Sequence, residues 1–301
     1  MIKQIDFNSE NDIKTVVALG YFDCLHIGHG KLLEKAKEIA ENKGVDCLFF
    51  TFNNDVGKIL GSGKKSVMTY AERLLKAERM GIDGVVSCEF DEKFKSLSAL
   101  DFLNKLRDDL DPVHIVCGFD YSFGKNAEGK TELLKIYCES NSIGLTVVDE
   151  EKYEGKKIST TTVRELLVRG EIEKANFLLG EDYSLYGKVV KGRQVGRKLG
   201  FPTANVLFPE DKSPIKYGVY HTYAYIDGKR YDGITNYGDR PTFGLCDEVL
   251  TETYFDKFEG DLYGKYIEIR FVRYLRPIEK FDGIERLKQR LTKDLEIIKN
   301  D

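Results

Sequence analysis

The first 180 residues alternate between short apolar runs and helical patterns, which restricts the fold more than any other property of the sequence. Five apolar runs stand out: Thr15–Leu19, Asp46–Phe52, Gly84–Phe90, Val113–Phe119 and Leu145–Asp149. Such runs are typical of strands buried on both faces of a parallel sheet, with crossover helices between them. After the first run, Gly30–Glu41 places its apolar residues on one face at helical spacing: Leu32, Leu33, Ala36, Ile39 and Ala40. The sequence therefore predicts an α/β domain with flanking helices.

Beyond residue 180 the sequence becomes rich in Tyr, Val and Thr, in runs cut by glycine-containing turns. Tyr266–Phe271 alternates between apolar and polar residues, as a half-buried antiparallel strand does. The last segment, Asp282–Asn300, returns to a helical pattern with Asp282 as its predicted N-cap. Its apolar stripe consists of Ile284, Leu287, Leu291, Leu295 and Ile298.

These patterns predict two domains, residues 1–180 and 181–301, with a joint near Gly180–Tyr186. Two short helices, Thr161–Arg169 and Ile172–Leu179, are predicted to close the first domain. The second is predicted to be a small antiparallel β-barrel with a terminal helix. The length of 301 residues agrees, because it is long for a single core.

Composition excludes several classes of protein. A net charge of −4 and a pI near 5.8 argue against a broad nucleic-acid surface. No segment approaches the ~20 apolar residues that span a bilayer. The six cysteines are scattered and several lie in apolar runs, so we expect reduced, mostly buried thiols in a cytoplasmic protein. Nothing in the sequence implies an obligate protein partner.

The segment Gly20–His29, GYFDCLHIGH, joins the first apolar run to the first predicted helix. It contains two of the four histidines, His26 and His29. A strand, a glycine-containing turn and a helix start form an anion site, because backbone N–H groups and the helix dipole point at the ligand. Imidazoles there can donate hydrogen bonds to nucleotide phosphates. Two alternatives stay open: a structural corner with incidental histidines, and a zinc site of Cys24, His26 and His29, which lacks a second Cys/His cluster.

This segment resembles the H-x-G-H signature of the nucleotidyltransferase superfamily, which transfers a nucleotidyl group from ATP. Class I aminoacyl-tRNA synthetases, pantetheine-phosphate adenylyltransferase and bacterial FAD synthetase all carry that signature. The resemblance implies a Rossmann-like nucleotidyltransferase domain but does not choose among these enzymes.

The segment Gly187–Asn205, GKVVKGRQVGRKLGFPTAN, is rich in glycine and basic residues and ends in a rigid Pro-Thr step. Such a loop suits polyphosphate, since glycine lets backbone N–H groups approach the oxygens while Lys and Arg neutralise charge. Thr203 and Asn205 are two residues apart on a predicted strand, so their hard oxygens point to one face and suit Mg²⁺. The alternative is a solvated basic hairpin loop.

Gly-x-Val-x-x-Gly followed by Gly-Arg-x-x-Gly-Phe-Pro-Thr-Ala-Asn resembles the ATP–Mg²⁺ signature of riboflavin kinase. Later stretches agree in order and spacing: Gly218–Tyr220, Asn236–Phe243, Glu252–Tyr254, Asp261–Gly264 and Leu275–Pro277. The chain as a whole resembles the bacterial bifunctional riboflavin kinase/FAD synthetase family, over essentially its full length.

Two stretches of the first half resemble the same family. Cys117–Gly124 is similar to its Gly-x-Asp-Phe-x-Phe-Gly segment, which implies a part in shaping the nucleotide and flavin sites. Lys157–Arg164 is similar to its Ile-Ser-Ser-Thr-x-Ile-Arg segment, which implies triphosphate binding by hydroxyls, backbone and Arg164. The alternative for the second stretch is a helix N-cap followed by a surface arginine.

The first half departs from the family pattern at three places. Cys24 stands where the family usually has Gly. Thr51–Asp55, TFNND, replaces a usual Thr-Phe-Glu-Pro-His-Pro. Thr162 stands where the family usually has Arg or Lys, which leaves one cation fewer at the triphosphate.

The resemblance implies two reactions without a covalent enzyme intermediate. In the first domain, His26, His29 and Arg164 would stabilise the pentavalent phosphate while FMN attacks the α-phosphate of ATP. In the second, Glu252 would be the general base on the ribityl hydroxyl of riboflavin, its alternative being an exposed strand carboxylate. Mg²⁺ would be held by Thr203 and Asn205.

The resemblance implies further contacts in both domains. Tyr254 and Arg276 are expected to bind flavin. Asp23 can orient His26, contact ribose or serve as a structural turn carboxylate. The residues expected to bind nucleotide are Gly20, Phe22, Asp23, Gly28, Asp120, Ser159 and Thr160 in the first domain, and Gly187, Lys188, Gly192, Arg197, Gly200 and Pro202 in the second.

Two other functions are considered. One is a riboflavin kinase whose first domain is degenerate and non-catalytic. The other is an RNA-interacting protein, since the histidine segment and the Lys157–Thr161 segment loosely resemble the class I synthetase signatures. The acidic chain argues against RNA binding.

Overall fold

A computed structural model describes residues 2–7, 9, 13–192, 201–239 and 249–299. The chain forms two compact units, Met1–Thr160 and Thr161–Asp301. Within the described ranges, we find no helix that is both long enough and apolar enough to cross a membrane.

The first unit is built on a six-stranded parallel sheet, which confirms the predicted fold class. In sheet order its strands are β1 (Lys3–Asp6), β4 (Gly84–Cys88), β3 (Asp46–Phe52), β2 (Thr15–Leu19), β5 (Pro112–Gly118) and β8 (Gly144–Val148). Every residue of β2 and β4 is buried, as expected for strands covered on both faces. The apolar runs located all of these strands except β1, in which only Ile5 is buried.

Helices cover the sheet, and all of them except the last begin at a residue whose side chain caps the helix. They are α1 (Ile27–Lys43), α2 (Val56–Ile59), α3 (Tyr70–Arg79), α4 (Glu92–Lys95), α5 (Ala99–Leu110) and α6 (Thr131–Ser140). Thr69 and Glu72 form a capping box on α3, and Ser98 caps α5. Helix α1 ends at Gly44, whose φ of 67° is the left-handed conformation typical of a helix C-cap. It is longer than the predicted Gly30–Glu41 at both ends.

Short elements complete the first unit. They are β6 (Ser122–Phe123), a 3₁₀ turn (Lys125–Ala127), β7 (Gly129–Lys130), β9 (Lys152–Tyr153) and β10 (Lys156–Lys157). The core beside them is aromatic: Phe50 packs edge-on against Phe7 at 4.9 Å and against Phe102 at 5.6 Å between ring centroids.

The second unit contains a closed antiparallel barrel and a terminal helix, as predicted. In barrel order the strands are β11 (Tyr183–Val190), β12 (Thr203–Leu207), β15 (Val249–Phe255), β14 (Lys229–Asp239), β13 (Gly218–Ile226) and β16 (Tyr266–Arg276). The helices are α7 (Thr160–Arg169), α8 (Ile172–Leu179) and α9 (Ile284–Lys299).

The predicted joint is too long at its C-terminal end, because β11 already begins at Tyr183. Helix α8 is tied to the barrel through Asn176, whose side chain accepts from Tyr183 N and donates to Phe271 O, both at 2.8 Å. By contacts, residues 161–179 therefore belong with the barrel. The functional boundary at residue 180 stays a prediction.

Helix α9 packs on the outside of the barrel. Leu295 and Ile298 form a buried cluster with Val219 and Ile234. Beside them Arg276 pairs with the fully buried Asp294 of α9, at 2.8 Å between Nη2 and Oδ2. The pair and the apolar cluster together fix the helix to the barrel.

The described cysteines are Cys24, Cys47, Cys88, Cys117 and Cys138, and all five are buried and unlinked. This confirms the expectation of reduced thiols for those five. Cys246 lies outside the described residues.

Candidate functional site

The histidine segment lies at the switch point of the parallel sheet. Strand β2 pairs with β3 on one side and with β5 on the other, and the connections from this point run in opposite directions. Ligands of open α/β sheets bind in the crevice that such a reversal leaves at the carboxyl ends of the strands. The segment Gly20–His29 follows β2, and Asp120 follows β5, so the fold brings two predicted nucleotide-binding segments to this crevice.

His26 and His29 form a stacked pair at the start of α1. His26 is the N-cap residue, and its Nδ1 accepts a hydrogen bond from His29 N at 3.2 Å. The two rings are parallel within 8°, with 3.8 Å between their centroids. Because Nδ1 of His26 is an acceptor, a neutral ring carries its proton on Nε2, which is therefore a donor.

Both imidazoles are neutral at physiological pH. Burial lowers the pKa of His26 to about 4 and lowers the pKa of His29 well below 6.5. The positive charges of Lys76 and Lys157 act in the same direction on both rings. Nδ1 of His29 is buried and has no hydrogen-bond partner among the described residues. The pair can thus offer hydrogen bonds to a ligand, but not positive charge.

The zinc alternative does not suit this geometry. Ligand atoms of Cys24, His26 and His29 lie within 4.8 Å of one another. However, parallel stacked rings direct their in-plane lone pairs side by side instead of towards one point, and Nδ1 of His26 is already used. Burial also raises the pKa of the Cys24 thiol to about 12, which disfavours the thiolate that zinc binds.

Glycines in this segment make room for the aromatic rings. A Cβ on Gly28 would lie 3.2 Å from Cε1 of His26, and one on Gly20 would lie 2.9 Å from the ring of Phe22. Phe22 is fully buried behind His29, with 5.2 Å between the ring centroids. Its φ of 54° and that of Leu25, 45°, show a tightly turned backbone before α1.

Asp23 has a structural role in the turn. Its Oδ1 accepts from Val67 N at 2.8 Å, and its carbonyl accepts from Met68 N at 3.2 Å. These bonds favour the turn-carboxylate alternative, while the predicted ribose or His26 contacts remain untested.

The segments after β5 and before α7 contribute further polar groups. Asp120 is paired with Lys157, whose ammonium group also lies over the Phe119 ring, 4.8 Å from its centroid. Thr160, the first residue of α7, lies beside the histidine segment, with its Oγ1 3.5 Å from Cys24 Sγ. Ser159 is half-buried just before it. Arg164 lies on α7 in the second unit, and its predicted role remains a prediction.

An apolar cavity of about 390 Å³ opens beside Gly20 and Tyr21. Its aromatic lining includes Phe50, Phe52, Phe90, Phe94, Phe102 and Phe123. The resemblance of Cys117–Gly124 indicated a flavin site near Phe123, but the other rings were not predicted. Their signal is the pair Phe50 and Phe52 at the end of β3 and the pair Phe90 and Phe94 just after β4, since parallel pairing brings these two strand ends to one sheet edge.

The predicted kinase residues share one face of the barrel wall. Asn205 is directly opposite Glu252, and Thr203 is directly opposite Tyr254. On the other side of β15, Glu252 is opposite Asn236. Directly paired residues of antiparallel strands point to the same face, so the strands bring these polar side chains together.

Asn205 has the properties of a cation ligand. It is 3% exposed, and its Oδ1 has no hydrogen-bond partner within the part of the chain that the structure describes. Its Nδ2 donates to Thr203 O at 3.3 Å, which turns the amide oxygen away from that strand segment. A Cβ on Gly192 would lie 2.6 Å from this Nδ2, so glycine is needed there. A buried amide oxygen beside Glu252 and Thr203 fits a hard divalent cation.

The remaining predicted residues of the second unit lie on strands, beside strands or outside the described part of the chain. Gly187 and Lys188 lie on β11, and Pro202 precedes β12. Arg276 is held by Asp294, a residue that the sequence did not single out. Arg197 and Gly200 lie outside the described residues.

Comparison with known proteins assigns both halves of the chain to known families. A family model for FAD synthetase matches residues 8–162, and one for riboflavin kinase matches residues 179–301. Relatives named bifunctional riboflavin kinase/FMN adenylyltransferase include those of Listeria monocytogenes (36% identical, 94% of this chain and 91% of the relative) and Bacillus subtilis (35%, 95% and 92%). The relative of the same name from Escherichia coli K12 is 29% identical, over 93% of this chain and 90% of its own length.

A solved structure shares the fold along the whole chain. The crystal structure of a protein described as a macrolide-efflux protein from Streptococcus pneumoniae superposes with a TM-score of 0.87 at 29% identity, covering 100% of both chains. That description concerns the other protein, and the likeness establishes the common fold. Matches to both family models and to curated relatives over nearly their full length agree on a single assignment. The chain belongs to the bifunctional riboflavin kinase/FMN adenylyltransferase family and contains both of its enzymatic domains.

Proposed function

We propose that this chain phosphorylates riboflavin to FMN with ATP and then transfers the adenylyl group of a second ATP to FMN, giving FAD and pyrophosphate. The observation that carries this proposal is the presence of both enzymatic domains in one chain. It favours two activities over a degenerate first domain. The reduced, buried cysteines suit a cytoplasmic enzyme.

In the adenylylation reaction, a phosphate oxygen of FMN attacks the α-phosphorus of ATP. The new P–O bond forms as the bond to the β-phosphate oxygen breaks, and pyrophosphate leaves with that electron pair. The neutral rings of His26 and His29 donate hydrogen bonds to the oxygens on which negative charge grows. Their stacking and the capping bond hold both rings in place beforehand, so little reorganisation is needed.

The segments around the histidines complete this site in the proposal. The N–H groups at the start of α1, with Gly20 and Gly28, receive phosphate oxygens, while Ser159, Thr160 and Arg164 bind the triphosphate. Asp120 and the backbone at Phe22 line the nucleotide, while the buried Phe22 ring supports His29 from behind. The aromatic cavity beside Gly20 takes the flat flavin ring system of FMN, since it is apolar and enclosed by phenylalanine rings.

In the kinase reaction, Glu252 accepts the proton of the terminal ribityl hydroxyl as the hydroxyl oxygen attacks the γ-phosphorus of ATP. The new P–O bond forms as the bond from the γ-phosphorus to the bridging oxygen breaks, and ADP leaves with that electron pair. Asn205 and Thr203 would hold Mg²⁺, which when bound neutralises charge on the ATP phosphates. Gly187, Lys188, Gly192 and Pro202 border the nucleotide, together with Arg197 and Gly200. Tyr254 contacts the flavin, and Arg276 shapes the same side by fixing α9 through Asp294.

Incubation of the purified protein with ATP, Mg²⁺ and either riboflavin or FMN tests the proposal, with the flavins separated by chromatography. Riboflavin should yield FMN and then FAD, and supplied FMN should yield FAD with release of pyrophosphate. FMN that accumulates without FAD would support the degenerate first domain. No new flavin in either reaction would refute both activities.

A further inference from the structure

Asn54 makes a paired contact that the family pattern would not supply. It lies in the loop after β3, within the segment that departs from the usual Pro-His-Pro. Its Nδ2 donates to Phe90 O at 3.1 Å, and its Oδ1 accepts from Phe90 N at 2.9 Å. The side-chain amide thus pairs with Phe90 as a neighbouring strand would.

This contact extends the pairing of β3 and β4 beyond the ends of both strands. Phe52 and Cys88 are the last paired residues, and Asn53 N then donates to Cys88 O at 3.1 Å. Phe90 lies two residues beyond the end of β4. The Asn54 amide binds both the N–H and the C=O group of Phe90. These two bonds fix the Phe90 backbone and hence the direction in which its side chain points.

The ring of Phe90 forms part of the cavity wall. It packs edge-on against Phe52, with 5.0 Å between centroids and 72° between planes, and lies 5.9 Å from Phe94. All three rings line the cavity of about 390 Å³. A displacement of the Phe90 backbone would therefore change the shape of the wall.

We propose that Asn54 is a positioning residue for FMN in the adenylylation reaction, acting through Phe90 to set the aromatic wall against the flavin ring system. This inference rests on the proposed role of the cavity. Asn54 does not touch substrate or the reacting phosphates in this proposal. It determines how well the cavity fits a flat aromatic ring, and hence affects FMN binding more than ATP binding or the chemical step.

Only an amide can make both bonds at this position. Asn54→Asp keeps the volume and the acceptor for Phe90 N, but its second oxygen would face Phe90 O and repel it. Asn54→Ala removes both bonds and leaves two backbone groups to water. The neighbouring Asn53 has an exposed side chain, so Asn53→Ala is a matched control.

Initial rates of FAD formation should be measured on the full chain with FMN and ATP varied independently. We expect Asn54→Ala and Asn54→Asp to raise KM for FMN about tenfold, which corresponds to ~1.4 kcal/mol, because each variant loses the paired contact that holds the Phe90 backbone in place. KM for ATP, kcat at saturating FMN and riboflavin phosphorylation should stay within about twofold of wild type. Asn53→Ala should behave as wild type.

A double-mutant cycle tests whether Asn54 acts through Phe90. Phe90→Leu should also raise KM for FMN, and the double variant with Asn54→Ala should be little worse than the poorer single variant. Additive effects would refute action through Phe90. An unchanged KM for FMN in both Asn54 variants, or equal losses for FMN and ATP, would overturn the inference while leaving the proposed function intact. Absence of FAD formation by the wild type would overturn the proposed function and this inference with it.

Discussion

Acid should destabilise the first unit through His26. Burial lowers its folded-state pKa to about 4 from an ordinary 6.5. Between pH 6.5 and pH 4, His26 binds a proton in the unfolded chain but not in the folded one. The contribution of the neutral His26 to the free energy of unfolding is therefore fully present above pH 6.5 and is lost as the pH falls towards 4. From these two pKa values, the loss between about pH 7.5 and about pH 5 is about 2 kcal/mol.

The variant His26→Asn tests this value. Asparagine is a good N-cap and can accept the bond from His29 N, but it does not titrate. The wild type should therefore lose about 2 kcal/mol more than the variant between the two pH values. Urea unfolding followed by pulsed hydrogen exchange and mass spectrometry would measure this loss for residues 20–43 separately from the barrel.

A matched control comes from the second unit. His221→Asn also removes a buried histidine, but it should leave the acid response of residues 20–43 unchanged. Equal losses in the wild type and His26→Asn would refute the buried, neutral imidazole. The proposed mechanism would then need a charged donor, whose activity should fall as the pH rises through 6.5.

Four further outcomes are expected. His29→Ala removes a donor where charge develops and should lower FAD formation ~10²–10³-fold while riboflavin phosphorylation survives; unchanged FAD formation would contradict the anion site. Glu252→Gln should lower riboflavin phosphorylation ~10²–10⁴-fold, with supplied FMN still converted at the wild-type rate; kinase activity within about threefold would exclude a base there. Asp294→Ala removes the buried partner of Arg276, leaving the more distant Glu279 carboxylate at 3.9 Å, and should cost ~3–5 kcal/mol in denaturant unfolding of the barrel, whereas a change below ~1 kcal/mol would mean that Glu279 or water compensates the guanidinium. A fragment beginning at Thr161 should keep kinase activity and melt higher than one beginning after α8; the reverse order would show that α8 does not support the barrel.

The sequence predicted the sheet because its signal is local. In Thr15–Leu19 four of the five residues are apolar, and a short run of this kind is typical of a strand covered on both faces. Strand β1 was not predicted because three of its four residues are exposed, so it has no apolar run. The joint was overextended because Ser184 and Gly187, residues common in turns, lie within β11 itself.

The cavity and the side-chain pairs could not be predicted in the same way. Asn54 and Phe90 are 36 residues apart, and Arg276 and Asp294 are 18 apart. Neither pair has a periodic pattern, and each depends on where the fold places two loops or a helix. The family resemblance showed only that Asn54 departs from the usual sequence. Its partner, Phe90, can be identified only once the pairing of β3 with β4 is known.

Helix starts support the phosphate role of the histidine segment independently of the histidines. Helices α3 and α5 each have an acidic residue in the first turn, Glu72 and Asp101, which offsets the positive end of the helix dipole. Helices α1 and α7 have none. The Thr160 hydroxyl, at the start of α7, lies 3.5 Å from the Cys24 sulfur in the turn before α1. The first residue of a helix that has no acidic residue in its first turn therefore lies beside the histidine segment. In the proposed site, the oriented N–H groups at the start of α1 and the neutral imidazoles beside them would attract phosphate without the desolvation of a buried cation.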